Sequence, residues 1–105
     1  MSVFHRLTKT LADIRAERIR QAQLHGDQAH LPDGTGGTLR HIEASNRRNE
    51  YDQATERGTL TFRHILAEEV AEAFAETDPA RLRAELVQAA AVCVQWIQAI
   101  DRRQP

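Results

Sequence analysis

The chain has 105 residues, a formal net charge of −1 and a single cysteine, Cys93. This length suits one domain, 1–105, near the lower limit for a self-sufficient core, so we expect a homo-oligomer, either a dimer or a tetramer. The balanced charge argues against a nucleic acid polymer as partner, because such proteins carry an excess of basic residues. A lone cysteine cannot form an intrachain disulfide, and no apolar run reaches the length of a signal sequence or membrane span. We therefore expect a cytoplasmic protein that does not enter a membrane.

Apolar residues at helical spacing predict a first helix from Val3 to about Leu24. His25-Gly26 ends this helix, because glycine readily adopts the left-handed C-cap conformation. The loop that follows, from Asp27 to Gly37, is the only glycine-rich segment. It lacks the ending of a P-loop and no strand precedes it, so a Walker-type site is excluded. The loop is either a plain connection or a lid over a nucleotide.

Three further helices are predicted. The segment from Thr38 to about Arg57 is polar and forms a helix that is either docked on the others or partly mobile. A third helix begins near Thr59 or Thr61, both of which are suitable N-caps, and carries an apolar stripe to about Phe74.

Asp78 and Pro79 supply the N-cap and the first-turn proline of a fourth helix, which stops near Arg102-Arg103. No alternating strand pattern of useful length appears. The predicted fold is therefore all-α, a bundle of about four helices, in which the last two form a tight antiparallel hairpin.

Acidic side chains recur at helical spacing on both sides of the Asp78-Pro79 break. Glu69 and Glu72 share one face of the third helix, and Glu85 and Gln88 share one face of the fourth. Glu72 and Glu85 lie about 6–10 Å from the same end of the hairpin, and Glu69 and Gln88 match each other one turn further along. If the two faces meet, four oxygen-bearing side chains converge on a site suited to Mg²⁺ or Mn²⁺.

Glutamates at these spacings are also common on a solvated helix face. Against that reading, the acidic residues of the third helix have no basic residue four positions further on. They are Glu68, Glu69, Glu72 and Glu76. Like charges on one short helix are destabilising unless a positive group lies nearby.

The run Glu68-Glu69-Val70-Ala71-Glu72, together with Glu85-Leu86-Val87-Gln88, resembles the EExxE and ExxD signature of the MazG-like, all-α nucleoside triphosphate pyrophosphohydrolases. Residues 61–66 and 96–103 and the loop 28–35 also look like small bacterial and phage proteins of that group. The resemblance implies a helical bundle completed by oligomerisation. It also implies a Mg²⁺-dependent enzyme that cleaves a (d)NTP between its α and β phosphates to give a nucleoside monophosphate and pyrophosphate.

The resemblance assigns roles to individual residues. Glu69, Glu72 and Glu85 take the positions of metal-binding carboxylates, Gln88 stands at the fourth position, and Glu68 and Glu69 are catalytic candidates. The family pattern has Asp where this chain has Gln88, whose amide oxygen can bind Mg²⁺ but adds no charge. A second interpretation therefore stays open: a weakened or inactive MazG-like module that binds a nucleotide or a protein partner.

Candidate substrate contacts are less sharply defined. Arg63, Arg81 and Arg83 are near enough in sequence to neutralise charge on pyrophosphate, and nothing in the sequence favours one of them. His30 and Asp33 lie in the glycine-rich loop and are candidates for contacting the nucleotide. The alternative for each of these residues, which the sequence favours, is a solvated surface side chain.

Overall fold

The structure is a computed structural model that describes the backbone of residues 3–103 and the side chains of residues 6–103. It confirms the all-α prediction, because residues 3–103 form four helices and contain no strand. The helices are α1 (Val3–His25), α2 (Thr38–Arg57), α3 (Phe62–Ala75) and α4 (Pro79–Arg103). These bounds agree with the predicted ones to within a residue or two at the ends where caps are present.

Two compact units make up the chain. The first contains Met1–Asp33 and Val94–Pro105, and the second contains Gly34–Cys93. The first unit therefore holds α1 and the end of α4, whereas the second holds α2, α3 and the beginning of α4. The single domain expected over the whole length stays a prediction.

In the first unit, α1 ends as the sequence predicted. Gly26 has a φ of +67° and donates its backbone N–H to the carbonyl of Ala22 at 2.9 Å. A side chain at this φ would be strained, which explains why the helix stops at a glycine. Within the described part of the chain, no helix of either unit is long and apolar enough to cross a bilayer.

In the second unit, α2 packs against α3, so the docked form of α2 is the one observed. Gly58 ends α2 in the left-handed conformation and donates to the carbonyls of Ala54 and Thr55. Of the two N-caps considered for α3, Thr61 is the one used, since its hydroxyl accepts the backbone N–H of His64. This short connection makes α2 and α3 antiparallel neighbours.

A short turn, residues 76–78, joins α3 to α4. Asp78 accepts the backbone N–H of Arg81 at 3.0 Å, and Pro79 is the first residue of α4, as predicted. The buried apolar side chains of this unit are nearly all small, which lets helix backbones approach closely. They are Ala54, Ala71, Ala73, Ala75, Leu82 and Ala89.

Candidate metal centre

Three glutamates converge between α3 and α4. One carboxylate oxygen from each of Glu69, Glu72 and Glu85 lies within 4.8 Å of the other two. Glu69 and Glu72 are one turn apart on α3, and Glu85 lies in the second turn of α4, just beyond the chain reversal. The structure thus brings together the three carboxylates among the four residues predicted to bind a metal ion.

The cluster contains carboxylate oxygens that no hydrogen bond satisfies. Glu69 Oε2 and Glu85 Oε2 are both buried and have no hydrogen-bond partner among the described residues. Burial raises the pKa of Glu69, and the nearby Glu72 raises it further. The pKa of Glu85 is raised by burial and then by Glu72 and Glu69. Charge on these carboxylates is therefore costly unless a cation is bound among them.

Glu68 is the most buried of the acidic residues, with 8% of its surface exposed. Its burial raises its pKa to about 7, and the carboxylate of Glu72 acts in the same direction. Arg48 opposes this shift. A carboxyl group with such a pKa is poised to exchange a proton near neutral pH.

Arg48, on α2, supplies the positive charge that is missing among the neighbours of the α3 glutamates along their own helix. Its Nη2 lies 2.7 Å from Glu72 Oε1 and 3.2 Å from Glu68 Oε1. The local spacing of charges along α3 does not predict this contact, because Arg48 lies on a different helix. One signal was present: Arg48 precedes the Gly58 turn by as many residues as Glu68 follows it, and such positions face each other in an antiparallel hairpin.

Gln88, the fourth predicted ligand, is exposed on α4 one turn after Glu85. It contributes no charge, so the centre has three carboxylates for a metal ion rather than four. The donor set consists of oxygen atoms alone, which fits a hard cation such as Mg²⁺ or Mn²⁺ better than a metal that prefers sulfur or imidazole.

The predicted substrate contacts are distributed differently. Arg63 is exposed and lines a cleft of about 350 Å³ between the end of α2 and the start of α3. Arg81 is exposed in the first turn of α4, where its backbone N–H binds Asp78. His30 and Asp33 are exposed in the loop of the first unit, whereas the glutamates belong to the second.

No protein-family model, curated protein or solved structure matches this chain. Membership of the MazG-like family therefore stays a prediction that rests on the EExxE and ExxQ motifs.

Proposed function

We propose that this protein is a Mg²⁺-dependent nucleoside triphosphate pyrophosphohydrolase that also accepts Mn²⁺ and converts a (d)NTP to a (d)NMP and pyrophosphate. The observation that carries the proposal is the convergence of Glu69, Glu72 and Glu85, two of which have buried oxygens without a hydrogen-bond partner. The resemblance of the motif to the MazG-like enzymes supplies the reaction.

The side chains would divide the work as follows. Glu69, Glu72 and Glu85 would hold the cation, which when bound polarises phosphate oxygens and lowers the pKa of a water molecule. Glu68, with a pKa of about 7, would accept a proton from the attacking water. Arg48 would keep Glu72 and Glu68 oriented through its two contacts.

Pyrophosphate release from a panel of (d)NTPs in the presence of Mg²⁺ or Mn²⁺ tests the proposal. We expect Glu72→Gln to lower the rate at least about 100-fold, because it removes a charged ligand while keeping the side-chain shape. Glu56→Gln is the matched control, since Glu56 is an exposed glutamate on α2 outside the cluster. Absence of pyrophosphate with every nucleotide, together with no metal-dependent rise in melting temperature, would contradict the proposal.

A second candidate function is a MazG-like module that binds a nucleotide or a protein partner without turnover. It is favoured by two observations: Gln88 is neutral and exposed, and Glu72 is already bound to Arg48. Saturable nucleotide binding without pyrophosphate release would support this function over the first.

We also infer that the working form is a homo-oligomer, a dimer or tetramer, in the cytoplasm. Large apolar side chains remain exposed on the described helices, as expected if a second copy covers part of them. Those on helices are Leu11, Ile14, Ile19, Leu24, Leu39, Ile42, Phe74, Leu86, Val87, Ile97 and Ile100.

A further inference from the structure

A polar cleft lies in the second unit where α2 ends and α3 begins. Its volume is about 350 Å³, within the range of small-ligand sites. Both helices and the loop between them contribute to its lining, so the two capped helix ends hold its walls in place. The cleft is distinct from the cluster of Glu69, Glu72 and Glu85, none of which lines it.

The charges around the cleft are unbalanced. Arg57 and Arg63 both line it, and neither forms an ion pair with a carboxylate within residues 6–103. The acidic residue in its described lining is Glu50, and Arg47 Nη2 lies 3.1 Å from Glu50 Oε1. Because Glu50 is already paired, the cleft presents two uncompensated guanidinium groups.

His64 adds a hydrogen-bond donor from its ring. Its Nδ1 accepts the backbone N–H of Thr61 at 3.1 Å and lies 2.6 Å from the Thr61 hydroxyl. A ring nitrogen that accepts a hydrogen bond leaves the proton on the other nitrogen, so Nε2 of His64 is the N–H donor. The cleft also adjoins the first turn of α3, a 14-residue helix whose dipole favours negative charge at this end.

We propose that this cleft binds a phosphate or pyrophosphate group through Arg57, Arg63 and His64, without a metal ion. Guanidinium groups match phosphate oxygens in geometry as well as charge, and each carries several donors. Arg63 precedes Glu69 by six residues, about 9 Å along the helix axis, so this anion site is separate from the metal centre. The proposal does not depend on the hydrolase function.

The test is a titration of the full chain with phosphate, pyrophosphate and ATP in EDTA at fixed ionic strength, followed by NMR and calorimetry. We expect saturable binding of pyrophosphate, with amide shifts concentrated at Thr59, Arg63 and His64. Arg57→Gln and Arg63→Gln should each weaken it about tenfold, because each removes a charge-assisted contact. ATP binding with the same dependence on both arginines would identify the phosphate chain of a nucleotide as the source; binding of phosphate and pyrophosphate without ATP would identify the free anion.

Arg40→Gln is the control, since Arg40 is an exposed arginine of α2 that does not line the cleft. If Arg40→Gln weakens binding as much as the cleft variants do, the binding is general charge attraction and the proposal is overturned. Unchanged affinity in both cleft variants, or lack of saturation with any of the three anions, would also overturn it. Circular dichroism of each variant establishes that the helices are intact.

Discussion

Arg48 is the residue through which α2 contributes to the acidic cluster. Its guanidinium bonds to Glu72 and Glu68, so one charge from a neighbouring helix serves two carboxylates. Arg48 itself is largely exposed, whereas only 10% of the Glu68 side chain is exposed. The contact therefore matters mainly for Glu68, which has little water to solvate its charge.

We expect Arg48→Gln to destabilise the metal-free protein at pH 8. A buried acceptor such as Glu68 that loses its donor costs about 1–3 kcal/mol in general. The loss should be smaller at pH 5, where Glu68 is protonated and needs no cation. Urea unfolding of the wild-type chain and of Arg48→Gln at the two pH values measures this loss of stability.

Arg20→Gln is the matched control for this variant, since the Arg20–Glu17 pair is exposed on both sides. Exposed ion pairs contribute little to stability, so no comparable loss is expected there. Equal losses for both variants, or a larger effect of Arg48→Gln at pH 5 than at pH 8, would contradict the role given to Arg48.

The raised pKa of Glu68 predicts a pH dependence of stability. The pKa is about 7 in the folded protein and has an ordinary value of 4.5 when unfolded. The folded state therefore binds the proton more tightly, so the contribution to stability is fully present below about pH 4.5 and is lost as pH rises through 7. The metal-free protein should consequently melt at a higher temperature at pH 5 than at pH 8.

Melting curves in EDTA between pH 4.5 and 8 measure this dependence. Glu68→Gln should make this dependence shallower, because glutamine does not titrate, and the raised pKa values of Glu69 and Glu85 leave the remainder in place. Glu56→Gln should leave the dependence unchanged. Addition of Mg²⁺ or Mn²⁺ at pH 8 should recover part of the lost stability, since a cation compensates the charged carboxylates. A melting temperature that is independent of pH over this range in the wild-type chain would contradict the prediction.

At the scale of the elements, Gly36 holds the loop before α2 against the end of α3. Its backbone N–H donates to the carbonyl of Phe74 at 2.8 Å, and its φ is +92°. A Cβ atom at this position would collide with Cγ2 of Thr77. The backbone conformation therefore favours glycine, and a Cβ atom would also force the Thr77 side chain to move.

We expect Gly36→Ala to destabilise the protein by about 2–3 kcal/mol, combining backbone strain with the steric conflict. Gly34→Ala is the control, because Gly34 also has a positive φ, +71°, but a Cβ there would meet nothing within 4 Å. Gly34→Ala should lower the free energy of unfolding by about 1 kcal/mol. Adding Thr77→Ala to Gly36→Ala should recover the stability that Gly36→Ala loses beyond Gly34→Ala, as measured by denaturant unfolding. Failure of this rescue would show that the steric conflict does not account for the loss.

At the scale of the whole molecule, exposed apolar side chains lead us to expect that the chain associates with copies of itself. Alanine makes up most of the buried apolar residues, whereas several larger side chains on α1 remain about half exposed. Leu11 and Ile14 are 48% and 40% exposed and lie one turn apart, so they form part of one apolar stripe. A second copy of the chain would remove this surface from water.

Ile14→Glu should shift the protein from a dimer or tetramer towards a monomer, because it places a charge in the apolar stripe of α1. Ala12→Glu is the control, since it adds the same charge to the opposite side of the same helix at an exposed position. Light scattering coupled to gel filtration measures the mass of each. A wild-type chain that is monomeric at high concentration, or an equal effect of both variants, would contradict the prediction.

The helices could be predicted from the sequence because their signals are local. Gly26, Thr61 and Asp78 each fix a helix end through bonds to residues only a few positions away. The convergence of Glu72 with Glu85 was also expected, because both residues lie within a few positions of the same short connection at Asp78-Pro79.

The sequence by itself therefore determined the four helices, their ends and the position of three acidic residues near one turn. Only the tertiary structure decided that the Arg48 guanidinium compensates the charge of Glu68, and that Arg57 of α2 shares a cleft with Arg63 and His64 of α3. These contacts join α2 to α3 across the Gly58 turn, and they depend on the register in which the two helices pack. Helix periodicity fixes the face on which Arg48 lies, but the partner of that face is fixed by packing between helices.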